Sequence, residues 1–99
     1  MKRLEEIKQI LSQYKPFLQD KYRVTNLGVF GSYVREEQTE NSDVDVLVEF
    51  QPDFSFGLLT FCELENYLTE LLEVKVDLVM KDGLKPYIGK HILKEVIYL

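Results

Sequence analysis

The sequence contains one cysteine, Cys62, one histidine, His91, and no tryptophan. A single cysteine excludes an internal disulfide, and without further Cys or His ligands a structural zinc site is nearly excluded. No apolar run approaches the roughly 20 residues of a membrane-spanning helix, and the charged N-terminus has no signal-peptide stretch. We therefore expect a cytoplasmic protein without membrane association, in which Cys62 packs in the core and His91 is structural.

Acidic residues outnumber basic ones: the chain has 17 Asp and Glu but 12 Lys and Arg, which gives a net charge of −5. Neutralising phosphates requires a basic face, so direct nucleic-acid binding is not expected. The acidity suits a divalent metal or a basic protein partner. The 99 residues are enough for a single domain, 1–99, with one small core. An enzyme of this size is expected to have its site completed by a partner.

Apolar periodicity predicts three helices and three strands, with helices over about 2–20, 57–72 and from Pro86 onward and strands over 24–30, 43–50 and 74–80. Pro16 predicts a kink or restart in the first helix, and Asp53 or Ser55 is a candidate cap for the second. The leucine stripe of the second helix, formed by Leu58, Leu64, Leu68, Leu71 and Leu72, is expected to be core. The order α-β-β-α-β-α predicts an α+β domain with a small mixed sheet and helices packed on it.

Asp43 and Asp45 flank Val44 at the start of a predicted strand. Alternate residues of a strand point to the same side, so both carboxylates leave one face of the sheet. Carboxylates are the hard oxygen ligands that Mg²⁺ prefers, together with water and substrate phosphates. Such a pair also occurs on solvated faces, but the neighbours Val46 and Val48 predict a largely buried strand, in which charges need partners.

Gly31 and Ser32 directly follow the first predicted strand and precede a short helical turn. Glycine lets a backbone approach a ligand closely, and amides at the start of a helical turn bind phosphate. The Ser32 hydroxyl can donate to a phosphate oxygen. In isolation, however, a Gly-Ser pair after a strand is simply a turn.

Asp77 is a lone carboxylate between apolar residues of the third predicted strand. If this strand neighbours the one that starts at Asp43, Asp77 is a third metal ligand or a base for an attacking hydroxyl. Otherwise Asp77 is a sheet-edge residue whose side chain reaches water.

These residues combine into one pattern: Gly31-Ser32, ten further residues, then Asp43-x-Asp45. The pattern resembles the G-S-x(10)-D-x-D signature of the nucleotidyltransferase superfamily, and the later strand aspartate Asp77 fits it. The chain resembles the minimal nucleotidyltransferase (MNT) branch along nearly its whole length, over residues 27–37, 41–50, 76–79, 84–86 and 92–98. The resemblance implies the palm-like fold of DNA polymerase beta relatives.

The resemblance also implies a reaction, in which AMP is transferred from ATP with the help of Mg²⁺. The ATP triphosphate would bind at the Gly31-Ser32 turn. Two Mg²⁺ ions would be held by Asp43 and Asp45, with Asp77 on the ion nearer the attacking hydroxyl.

Other residues near this turn are possible nucleotide contacts. Arg35 would bind phosphate or a partner acid, although an exposed solubilising arginine fits equally well. The MNT branch usually has Arg-Gly-Glu where this chain has Arg35-Glu36-Glu37, which leaves the local loop shape open. Tyr33 and Tyr87 could stack on a nucleobase, although packing is the commoner role of a tyrosine.

MNT proteins are typically antitoxins encoded beside a HEPN-domain ribonuclease toxin, and the resemblance implies AMP transfer to a tyrosine of that toxin. Two alternatives stay open: a non-catalytic module that neutralises a HEPN toxin by binding, and a nucleotidyltransferase that acts on a small molecule. The three intact aspartates favour catalysis, and the short chain without a substrate lobe favours a protein acceptor.

Overall fold

The computed structural model describes residues 2–52 and 57–99. This part of the chain forms three α-helices and four strands: α1 Leu4–Tyr22, β1 Val24–Phe30, β2 Val44–Phe50, α2 Leu58–Leu72, β3 Val76–Met80, α3 Pro86–Glu95 and β4 Ile97–Tyr98. The predicted α+β class is confirmed, and β4 is an additional strand that the sequence pattern did not predict. None of the helices so described combines the length and apolar character that crossing a bilayer requires.

The four strands form one mixed sheet in the order β3-β2-β1-β4. β1 is antiparallel to β2 and to β4, whereas β2 and β3 run parallel. The register places Asp45 of β2 between Phe30 of β1 and Asp77 of β3. The condition set for Asp77, that its strand should neighbour β2, is therefore met.

Helices α1 and α2 cover one face of the sheet and form the core with it. The completely buried residues of this core come from both helices and from alternate positions of the strands: Ile7, Leu11, Leu18, Leu27, Val29, Val44, Val46, Leu64, Leu68 and Leu72. The other face carries Phe30, Asp45 and Leu47, and α3 lies at its edge, where Ile88 and Ile92 border a cavity with Phe30 and Asp45. The acidic positions of β2 and β3 therefore face away from the main core.

Helix α1 runs through Pro16 without restarting, so the predicted restart is wrong, whereas the alternative of a kink stays a prediction. An interior proline costs a helix about 3 kcal/mol, because its ring removes one hydrogen bond and crowds the preceding turn. Leu11 and Leu18, both 0% exposed, lie on either side of Pro16 and hold the helix against the sheet. Tertiary packing thus overrides the local break signal.

Two predictions about α2 are wrong. Leu58, expected in the core, is 76% exposed in the first turn of the helix, and Cys62 is exposed as well. Both lie on the side of α2 that no other described element covers, whereas Leu64, Leu68 and Leu72 face the sheet. The candidate caps Asp53 and Ser55 lie outside the described residues.

Side chains of α2 close part of the outer edge of β3. The N–H of Val76 donates to Oγ1 of Thr69 at 3.0 Å, and the N–H of Leu78 donates to Oε2 of Glu65 at 2.9 Å. Both amides point away from β2, because the parallel pairing uses the alternate residues of β3. Polar side chains from a helix thus replace the strand that would otherwise continue the sheet.

The loop after β1 contains Glu36 at the position where the MNT branch usually has glycine. Glu36 has a φ of 58°, in the left-handed region that glycine adopts most easily. The loop therefore keeps the shape that glycine favours, although glutamate occupies the position.

Candidate active site

Strand β1 ends at Phe30, and one 3-10 turn, Gly31–Tyr33, follows it. Gly31 has a φ of +82°, and a Cβ atom at this position would lie 2.0 Å from Oδ2 of Asp45. The Gly31 backbone therefore rests directly against the Asp45 carboxylate. Both its conformation and this close approach require glycine.

The turn and the following loop are joined by backbone hydrogen bonds. The carbonyl of Gly31 accepts the N–H groups of Val34 and Arg35, and the carbonyl of Ser32 accepts the N–H of Glu37 at 2.9 Å. Ser32 is partly buried within this arrangement. Gly31, Ser32 and Arg35, the three predicted nucleotide-binding residues, consequently belong to one connected segment at the end of β1.

The three predicted carboxylates lie at neighbouring positions of β2 and β3. Asp43 immediately precedes β2, Asp45 is its second residue, and Asp77 is the second residue of β3. Asp45 and Asp77 are partners in the parallel register, so their side chains leave the same face of the sheet. Asp43 and Asp45 are partly buried, whereas Asp77 is exposed.

Burial and the proximity of the other two carboxylates change the pKa of Asp45. Burial, followed by the negative charges of Asp77 and Asp43, raises the pKa of Asp45 to about 6, although Arg35 opposes the shift. A carboxylate next to other carboxylates in a partly buried site resists ionisation, because each charge repels the others and water screens them poorly. The site thus contains more negative charge than its own residues compensate.

The carboxylate oxygens of Asp43, Asp45 and Asp77 are chemically suitable ligands for a divalent cation. Mg²⁺ takes oxygen ligands, uses few carboxylates and completes its shell with water and phosphate. Across residues 2–52 and 57–99, no three Asp, Glu, His or Cys side chains converge closely enough to enclose an ion by themselves. Asp43, Asp45 and Asp77 thus offer oxygen ligands at neighbouring strand positions without forming a closed three-ligand site.

Glu95, the last residue of α3, contacts the turn and was not predicted from the sequence. Its Oε2 accepts the N–H of Gly31 at 2.9 Å, and its Oε1 accepts a hydrogen bond from Nη1 of Arg35. Arg35 also donates through Nε to Glu37. The hydrogen bonds to Glu95 and then to Glu37 raise the pKa of Arg35. An acid in the last turn of a helix, where the helix dipole disfavours it, is the sequence signal that could have identified Glu95.

A cavity of about 560 Å³ connects α3 with the turn and with Asp45. Tyr87 is 78% exposed at its rim, and its ring lies edge-to-face with His91 at a centroid distance of 5.7 Å. Tyr33, in contrast, is 1% exposed, so it packs in the core and does not present a stacking surface. Aromatic, apolar, amide, cationic and acidic groups all line this cavity: Phe30, Gly31, Arg35, Asp45, Tyr87, Ile88, His91, Ile92 and Glu95.

Comparisons with known proteins agree with this arrangement. The sequence matches the Nucleotidyltransferase domain family over residues 5–99. It is 53% identical over 96 residues to the protein adenylyltransferase MntA of Thermococcus cleftensis, an alignment that covers 97% of this chain and 95% of that protein. The relationship therefore extends over nearly the full length of both proteins.

Two solved structures share the fold. A structure of a candidate minimal nucleotidyltransferase is 33% identical, with a TM-score of 0.73 over 94% of this chain and 95% of that chain. A complex of the tri-AMPylated HEPN toxin of Shewanella oneidensis with an MNT antitoxin matches with a TM-score of 0.66 at 18% identity, over 93% of this chain and 70% of that chain. The predicted minimal nucleotidyltransferase fold and enzyme class are confirmed. From its sequence match and its full-length relative, this chain belongs to the nucleotidyltransferase domain family.

Proposed function

We propose that the chain is a Mg²⁺-dependent protein adenylyltransferase that transfers AMP from ATP to a tyrosine of a HEPN toxin and thereby acts as an antitoxin. The observation that carries the proposal is the pairing of Asp45 with Asp77, directly beside the Gly31 turn. Carboxylates for a metal and amides for phosphate, adjoining each other, are the two requirements of phosphoryl-type transfer.

The hydrogen-bond donors of the Gly31 turn would position the nucleotide in this reaction. The Gly31 N–H, the Ser32 hydroxyl and the Arg35 guanidinium would bind oxygens of the triphosphate and orient its α-phosphorus. Asp43 and Asp45 would hold Mg²⁺. When bound there, the metal neutralises the charge that develops on the attacking and leaving oxygens.

Asp77 is suited to the acceptor side because it is the exposed member of the three. A hydroxyl brought by another protein can reach it from solvent, and its carboxylate would take the hydroxyl proton. The acceptor oxygen then forms a bond to the α-phosphorus, the bond to the bridging oxygen breaks, and pyrophosphate leaves.

The relatives support the choice of acceptor. The Thermococcus relative is named a protein adenylyltransferase, and the Shewanella complex contains a HEPN toxin that carries AMP groups. A protein acceptor also fits the exposure of Asp77 to solvent. Binding without catalysis and transfer to a small molecule remain as outcomes of the test.

The test is intact-mass spectrometry of the purified chain mixed with ATP, Mg²⁺ and a HEPN-domain protein from the same genome. The controls are a reaction with EDTA and the Asp45→Asn variant. A metal-dependent gain of one or more AMP units on the HEPN protein, lost in Asp45→Asn, would support the proposal. A stable complex without mass gain would instead indicate neutralisation by binding, and neither gain nor complex would direct the search to small acceptors.

A further inference from the structure

Glu95 occupies the very groups that the proposed function assigns to the nucleotide. One carboxylate oxygen accepts the Gly31 amide at 2.9 Å, and the other accepts the Arg35 guanidinium. A carboxylate with both oxygens engaged resembles two oxygens of a phosphate in charge and in hydrogen-bonding capacity. A triphosphate that uses these same donors must therefore compete with Glu95.

The position of Glu95 is otherwise unfavourable for an acid. It is the final residue of α3, where the carbonyl end of the helix repels negative charge. It also faces Asp45, whose carboxylate it repels. The contacts with Gly31 and Arg35 offset these two costs, and the Glu95 side chain is 21% exposed in the resulting arrangement.

We propose that Glu95 is a displaceable internal anion, which holds the Gly31 turn and Arg35 in the nucleotide-free protein and is released when a polyphosphate binds. The inference rests on the proposed function, since that function places polyphosphate at these donors. Arg35 can follow such an exchange because its side chain is 51% exposed and Glu37 already provides a second partner. The apparent affinity for polyphosphate is then lowered by the fraction of molecules in which Glu95 is bound.

The test compares binding of inorganic triphosphate and of a non-hydrolysable ATP analogue, each with Mg²⁺, by isothermal titration calorimetry. The variants are Glu95→Gln, which removes the charge but retains the shape, and Glu95→Ala, which removes both. Glu70→Gln is the matched control, because it makes the same change of charge at an exposed position of α2, on the opposite face of the sheet. Circular dichroism and thermal unfolding verify that each variant is folded.

The expected result is about tenfold tighter binding of both ligands by Glu95→Gln and Glu95→Ala, because loss of a charge-assisted contact releases the donors. Glu70→Gln should bind as the unaltered protein does. Unchanged or weaker binding by the folded Glu95 variants would overturn the proposal while leaving AMP transfer untouched. Tighter binding without any AMP transfer to the HEPN protein would support the internal anion and refute the proposed function. No binding of either ligand by any variant, together with no AMP transfer to the HEPN protein, would refute both.

Discussion

Asp45 and Asp77 lie directly opposite each other in the parallel pairing of β2 and β3, so two carboxylates leave the sheet side by side. Asp45 is partly buried beneath the Gly31 turn, whereas Asp77 is open to solvent. One register pair thus contains an acid packed against the Gly31 turn and an acid accessible from solvent. The proposed division of roles between metal binding and hydroxyl activation rests on this difference in exposure.

Replacement of Asp77 by Asn should slow AMP transfer by at least about a hundredfold, because the amide neither accepts a proton nor ligates a metal as a carboxylate does. The exposed position predicts little effect on folding. Initial rates of AMP incorporation into the HEPN protein measure the effect, and Asp82→Asn is the control, an exposed acid just after β3. A rate within a few fold of normal for Asp77→Asn would show that Asp77 is structural.

Replacement of Gly31 by Ala should be severely destabilising. The added Cβ would lie 2.0 Å from Oδ2 of Asp45, and the φ of +82° disfavours any L side chain. Strain and overpacking together should lower the free energy of unfolding by about 3 kcal/mol, as measured by urea denaturation. Gly83→Ala is the matched control, because the nearest atom to its Cβ would be Cβ of Met80 at 3.9 Å. Equal stability of the two variants would contradict the close contact between the turn and Asp45.

The pKa of Asp45, raised from 3.8 to about 6, predicts a pH dependence of stability. The folded protein binds the Asp45 proton more tightly than the unfolded chain does. Protonation of Asp45 therefore stabilises the folded state fully below about pH 4, and this stabilisation is lost as the pH rises through about 6. In EDTA, Asp45→Asn should flatten this part of the stability curve. At neutral pH it should raise the free energy of unfolding by about 1 kcal/mol, since solvent screens a partly exposed carboxyl.

The effect of Asp45 is isolated by measuring the free energy of unfolding against pH for the unaltered protein and for Asp45→Asn and subtracting one curve from the other. Asp20→Asn on α1 is the control for loss of an exposed acid. Parallel curves for the unaltered protein and Asp45→Asn would refute the crowding of charge at this site. With Mg²⁺ present, the unaltered protein should become more stable than Asp45→Asn. The ion should stabilise the unaltered protein by binding only its folded state, and it should stabilise Asp45→Asn much less.

The left-handed backbone at Glu36 predicts opposite outcomes for two substitutions. Glu36→Gly should raise the free energy of unfolding by about 0.5 kcal/mol, because relief of the φ of 58° outweighs the greater freedom of glycine in the unfolded chain. Glu36→Val should lower it by about 1 kcal/mol or more, since β-branched residues tolerate this conformation least. Thermal unfolding of both variants decides the matter. If valine were as stable as glycine here, the loop would not hold the left-handed conformation.

Much of the fold could be predicted because local patterns coincide with burial. The alternation over 43–50 and the short apolar run over 24–30 each predicted a strand whose ends lie within one residue of the observed ends. The pairing of Asp45 with Asp77 could be expected only on the condition that their strands are neighbours. That condition is decided by contacts between distant segments, which periodicity does not describe.

Other features could not be predicted because they exist only through tertiary contact. Strand β4 is two residues long and follows α3 directly, so its apolar residues look like a continuation of that helix. Its backbone approaches β1 at Gly28, where an added Cβ would lie 3.2 Å from the carbonyl oxygen of Ile97. The contact between Glu95 and Gly31 likewise joins residues 64 positions apart. Exposure of Leu58 escaped prediction because a helical repeat shows which residues share a face, but not where the covering element ends.

The polar contacts of Thr69 and Glu65 with the border of β3 have a consequence for recognition. An extended peptide that docks beside a sheet needs free backbone donors, and two of the outward donors of β3 are already engaged by α2. At the opposite border, β4 offers only two residues. We therefore expect the proposed protein acceptor to be recognised by the shape and charge of side chains rather than by addition of a strand to the sheet.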